Sequence, residues 1–257
     1  MDLSVSRRVG IKLVVGVLIA ASTAIMPTLT PAARGVPSNI AGMVVFIDPG
    51  HNGSNDASIN RQVPTGRGGT KDCQTSGTST NTGYQEHTFT WDTALRVRAE
   101  LNALGVRTAL SRGDDTGLGP CVDARAAAAN SLRPNAILSI HADGGPPSGR
   151  GFHVNYSAPP LNQAQAGPSV QYARIMRDQM QASGIPPANY IGQDGLYGRS
   201  DLAGLNLAQY PSILVECGNM KNPVDSALME STDGRQKYAD ALVRGVAGFL
   251  ATQGQAR

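Results

Sequence analysis

The sequence is short of net charge, of long apolar runs, of cysteine and of histidine, and each shortage narrows its chemistry. Its 22 Lys and Arg against 19 Asp and Glu give a formal net charge of +3. Setting aside Asp2, Arg7, Arg8 and Lys12, which precede the fold, leaves about +1. A near-neutral chain offers a nucleic-acid partner no electrostatic support. The N-terminal apolar stretch, residues 13–21, is too short for a lasting membrane span, and Pro27 and Pro31 break up the residues after it. With Arg7, Arg8 and Lys12 before it and Thr30–Pro31–Ala32 behind it, the stretch reads as an export signal over residues 1–34. An uncleaved anchor is the alternative.

Roughly 220 residues, 35–257, then remain for one domain with its own core, and no internal repeat or second core is visible. Export permits a disulfide, but three cysteines cannot all pair within one chain. Cys217 lies in the apolar run 213–217 and reads as a buried free thiol. Cys73 and Cys121 lie in polar, Gly-rich loops and form the expected pair, worth about 4 kcal/mol on the chain-entropy account. Two free surface thiols are the other reading.

What is present is an alternation of strands and helices. Apolar or β-branched runs at 43–48, 106–110, 136–141, 151–156 and 212–217 read as strands. Helical spacing over 85–104, 122–132, 168–183 and 235–252, with a short helix opening at Asn222–Pro223, supplies the intervening layers. Such an order predicts an α/β fold: a single domain with a mostly parallel, twisted sheet of about six strands and helices on both faces. Residues 52–83 are rich in Gly, Ser, Thr and Asn, and read as a long mobile loop that gates access, restrained by Cys73.

In a sheet of this kind ligands sit beyond the carboxyl ends of the strands. His51, His141 and Glu216 fall at or just past predicted strand ends, and Glu86 opens the first helix on the same edge. Two of only four histidines occupy equivalent positions. Two His and a carboxylate make the three-ligand set of a catalytic zinc site, which keeps a fourth position open, and a second carboxylate then remains free to act on water. A lone His after a strand is more often a hydrogen-bonded structural residue, so the argument rests on the set. His87 follows Glu86 on a helix, about 100° of rotation away, and His153 reads as mid-strand; both are expected to be structural or substrate-facing. Asp48 and Asp143 are candidates to orient imidazole N–H groups, although turn formation explains them equally well. Arg112 and Arg125 are candidates to hold a substrate carboxylate, with solvated surface arginines as the default.

At these residues the chain resembles the zinc-dependent N-acetylmuramoyl-L-alanine amidases of the amidase-3 family. The matching stretches are Phe46–Ile47–Asp48–Pro49–Gly50–His51, Glu86 at a helix start, Ser139–Ile140–His141–Ala142–Asp143, and Val215–Glu216–Cys217–Gly218 with Asn222. They run in family order across about residues 43–250. The resemblance implies one Zn2+ per chain on His51, Glu86 and His141, with Glu216 as the catalytic carboxylate. It also implies a peptidoglycan or muropeptide substrate met outside the cytoplasm, in the periplasm, cell wall or medium, by a monomer without a stable membrane span. The long stretch after His51 departs from the family, as does Asn219–Met220–Lys221 where Phe-x-Ser is usual. Another zinc peptidase or deacetylase acting on peptidoglycan, or a non-catalytic wall-binding protein, are the alternative functions.

Overall fold

In the computed structural model the described residues are 1, 2 and 40–254, so the export signal expected over residues 1–34 lies outside them apart from Met1 and Asp2. The described residues 40–254 fold as one unit. In chain order the elements are β1 (Val44–Pro49), β2 (Gln62–Pro64), β3 (Thr70–Asp72), α1 (Glu86–Ala103), β4 (Arg107–Leu110), α2 (Val122–Ser131), β5 (Ala136–Asp143) and β6 (His153–Ser157). They continue with α3 (Gln163–Ala166), α4 (Pro168–Ala182), β7 (Leu196–Arg199), α5 (Ala203–Leu207), β8 (Ser212–Asn219), α6 (Pro223–Glu230) and α7 (Thr232–Gly254).

Six strands form one sheet in the order β4-β1-β5-β8-β6-β7. The first four run parallel; β6 is antiparallel to β8, and β7 is parallel to β6. The α/β fold with a mostly parallel six-stranded sheet is therefore the one expected. Alternation along each strand separates two unequal faces. Val45, Ile47, Leu138, Ile140, Ile213, Val215 and Val154 point into the main core, where α1, α4 and α7 bring Phe89, Met176, Leu242 and Phe249. Burying side chains of this size at roughly 1.5–3 kcal/mol each is the main force holding the sheet to its helices. The opposite face carries Phe46, Ile137 and Ala129 of α2 in a much smaller cluster. It is the thinly covered face that retains the polar side chains Asp48, Ser139, His141 and Glu216.

The stretch 52–83 differs from expectation. It contains the antiparallel hairpin β2–β3, whose connection includes Gly66 and Gly68 at positive φ. Val63, Cys73 and Cys121 form a small buried cluster, with Cys73 and Cys121 joined as a disulfide. At the hairpin tip, Arg67 donates to Asn206 Oδ1 at 3.0 Å, to Ser157 Oγ at 2.9 Å and to the Pro159 carbonyl. A segment that reads as lacking anchors is thus held at its base by a cross-link and at its tip by one arginine. Among the described residues no helix is long and apolar enough to cross a membrane.

Candidate metal centre and catalytic carboxylate

His51 stands just past the end of β1 with φ +62, a left-handed conformation that residues other than glycine rarely adopt. Its carbonyl accepts from Arg125 Nη2 at 2.7 Å. Its ring Nδ1 lies 2.9 Å from the Thr75 carbonyl, which can only accept, so Nδ1 carries the proton and Nε2 presents its lone pair. Gly50 makes room for the second ring: a Cβ there would stand 2.3 Å from the His141 imidazole. The two rings meet edge to face with centroids 4.8 Å apart.

Glu86 is the first residue of α1, where the helix N-terminus favours a carboxylate. Its Oε2 lies 3.0 Å from His51 Nε2, and its Oε1 lies 3.0 Å from His141 Nδ1. The backbone N–H groups of Thr78 and Ala142 each donate to it at 3.0 Å. Burial opposes its charge, yet the His51 and His141 imidazoles beside it outweigh that and hold the carboxyl well below the usual range. Burial likewise opposes a charged His51, and the Glu86 carboxylate overrides it to raise the imidazole pKa. The ligand atoms of His51, Glu86 and His141 all lie within 4.8 Å of one another. Two imidazoles and one carboxylate converging at that spacing suit a zinc ion by ligand type and by reach.

Glu216 sits directly opposite His141 in the parallel pairing of β5 and β8, and therefore on the same face. Its Oε2 is buried without a hydrogen-bond partner among the described residues. Burial, and then the Glu86 and Asp143 carboxylates, raise its pKa well above the ordinary value, with Arg199 offsetting part of this. These four residues line a cavity of about 360 Å³ whose walls also include the apolar side chains of Phe46, Ile137, Leu205 and Leu214. Such walls strengthen electrostatic interactions inside.

Of the remaining candidates, His87 is structural, one of the two roles expected of it, while the others depart from expectation in part. Asp48 orients no imidazole: it accepts from Ser111 Oγ at 2.6 Å, Ser139 Oγ at 2.8 Å and Arg125 Nη1 at 2.9 Å. Asp143 accepts from the Tyr190 hydroxyl at 2.8 Å. Arg112 and Arg125 are 5% and 4% exposed, so neither is a solvated surface residue, and their guanidinium groups are occupied by Asp115, Asp48 and backbone carbonyls. His87 pairs with Asp115 at 2.8 Å, away from the cluster. His153 is not mid-strand: it opens β6, and because β6 runs antiparallel it faces Glu216 at the same rim. Its Nδ1 is buried without a partner, and burial lowers its pKa to about 4. Nothing in the local pattern of residues 151–156 reveals a reversed strand.

Asp48 provides a test of how rigidly this rim is held. Burial works against its charge, but Arg125 and Ser111 prevail and lower its pKa from 3.8 to about 2. A depressed acid pKa stabilises the fold above the unfolded value and loses that contribution as pH falls through the folded one. Chemical denaturation of Asp48→Asn should therefore show a pH-dependent stability deficit of about 2 kcal/mol at neutral pH. That deficit should shrink between about pH 4 and pH 2. A gap that stays constant across this range would show that Asp48 is not ionised by its partners.

Comparison with known proteins agrees with the geometry. A family profile described as N-acetylmuramoyl-L-alanine amidase matches residues 45–248. An N-acetylmuramoyl-L-alanine amidase of Mycobacterium tuberculosis is 81% identical over 95% of this chain and 100% of its own length. The crystal structure of the amidase Ami1 from Mycobacterium smegmatis is similar with a TM-score of 0.83 and 79% identity, over 84% of this chain and 100% of that one. Ami1 from Mycobacterium abscessus, in its apo form, gives 0.82 and 64%, over 82% and 100%. The chain belongs to the amidase-3 family of N-acetylmuramoyl-L-alanine amidases.

Proposed function

We propose that this protein is an exported peptidoglycan hydrolase that cleaves the amide between the lactyl group of N-acetylmuramic acid and the L-alanine of the stem peptide. The observation that carries this reading is the cluster of His51, Glu86 and His141 beside Glu216, a half-buried carboxylate whose Oε2 is shut off from solvent with no hydrogen-bond partner among the described residues. His51, Glu86 and His141 would hold one zinc ion. When bound, zinc supplies a Lewis acid that polarises the scissile carbonyl and acidifies a water molecule.

The protein's own groups do the rest. Glu216 takes a proton from the water that attacks the carbonyl carbon and returns it to the alanine nitrogen as the C–N bond breaks. Burial that raises its proton affinity suits it to both transfers. Thr75 fixes the His51 tautomer, and the backbone N–H groups of Thr78 and Ala142 fix the Glu86 carboxylate. The apolar side chains in the cavity wall limit water around the reacting bond. In this reading residues 1–34 are a cleaved export signal, residues 35–257 are the catalytic domain, and the enzyme acts as a monomer on the cell wall.

Digestion of purified muropeptides, followed by mass spectrometry, decides the bond. Free stem peptides beginning with L-alanine are the expected products. Loss of acetate from the sugars, or cleavage inside the stem peptide, would assign a deacetylase or a peptidase instead. Undigested muropeptides with zinc bound would leave a wall-binding protein.

A further inference from the structure

His51 is gripped at two points, and both grips descend from one disulfide. Its ring is held by the carbonyl of Thr75, two residues beyond Cys73. Its backbone carbonyl is held by Arg125, four residues beyond Cys121. Cys121 is the N-cap of α2, so Arg125 lies in the first turns of a helix that starts at the cross-link. The two half-cystines have Cα atoms 4.5 Å apart, and Val122 N donates to the Cys73 carbonyl at 2.9 Å. The disulfide therefore ties together the two segments that carry the groups holding His51.

Arg125 itself is built into the end of β1. Besides the His51 carbonyl, it donates to the Pro49 carbonyl at 2.9 Å, to Asn52 Oδ1 at 2.7 Å and to Asp48 Oδ1 at 2.9 Å. It also donates to the Pro120 carbonyl at 2.9 Å, beside Cys121. Only the planar, five-donor guanidinium can meet acceptors in this fan; a lysine ammonium cannot. A left-handed residue other than glycine persists only where its surroundings over-determine it, and these bonds do so for His51.

We propose that Arg125 and the Cys73–Cys121 disulfide form one positioning frame that sets how tightly, and in what geometry, His51 holds the metal. The proposal rests on the reading of His51 as a ligand, and it gives the disulfide a task beyond loop restraint. Arg125 is a positioning residue: it touches the backbone of the ligand and not the reacting bond.

The test uses the full-length chain loaded with zinc or with cobalt(II), at a temperature well below its melting transition. Zinc release to a chelator and the visible absorption bands of the cobalt form are measured for Arg125→Lys, for Cys73→Ser/Cys121→Ser, and for His51→Ala as the ligand control. Losing outer support of a metal ligand weakens binding by roughly 10–100-fold. Release from Arg125→Lys and from the double variant should be faster by about that factor, with displaced cobalt bands. General destabilisation alone would leave those bands where they are. Should Arg125→Lys fail to fold, the disulfide variant decides alone. Unchanged release and unchanged cobalt bands, with His51→Ala losing its metal, overturn the frame while leaving the ligand assignment intact. If His51→Ala keeps zinc as firmly as the parent protein, the ligand assignment and the frame fall together.

Discussion

Removal of zinc with a chelator, followed by dialysis, should abolish hydrolysis of muropeptides, and one equivalent of added zinc should restore it. The expected loss is at least about 10³-fold, since removing a single stabiliser of the developing oxyanion already costs 10²–10³. Here the same loss would also take away the acidification of water. Without the ion, the charge on Glu86 faces two imidazoles and two backbone N–H groups. His51→Ala and His141→Ala should each release the metal, as elemental analysis of the purified variants will record. Full activity in a metal-free preparation would end the zinc reading.

Glu216→Gln should lower kcat by about 10²–10⁴, the range for loss of a general acid–base group, while the zinc content stays at that of the parent. The substitution keeps the shape of the side chain and removes its ability to take a proton. A base must be deprotonated to act, so the parent's rate should rise with pH as Glu216 ionises, above the ordinary carboxylate value of 4.5. The variant's residual rate should lack that limb. A raised carboxyl pKa also means that ionisation costs stability, a cost that grows as pH rises through the folded value. In the metal-free state Glu216→Gln should therefore melt no lower than the parent. Loss of zinc from Glu216→Gln would make Glu216 a ligand and reassign the proton transfer.

His51, Glu86, His141 and Glu216 are legible in the sequence because each lies near one end of a strongly patterned element, although β5 and β8 run two and three residues beyond His141 and Glu216, and a parallel sheet gathers such ends on one rim. The hairpin β2–β3 is not legible for the opposite reason: strands of three residues are too short for a period of two to register. The Gly66 and Gly68–Gly69 turn between two short runs was the available signal. The position of His153 depends on the direction of β6, which pairing with β8 decides and local pattern does not. Arg125 and Asp48 are 77 residues apart in sequence, and nothing near either announces that they are partners. Burial of a charged side chain is a property of the assembled fold, so arginines that read as surface residues prove to be the framework of the rim.

Cys217 gives the protein an internal clock. Cys73 and Cys121 are joined, so the chain's one remaining thiol is Cys217, with no exposed surface, inside the strand that carries Glu216. Burial also pushes its pKa well above the ordinary value, which suppresses the reactive thiolate. A thiol reagent can modify it only when β8 parts from the helices packed over it. The modification rate in native buffer thus reads the frequency with which the catalytic strand opens, without any introduced label.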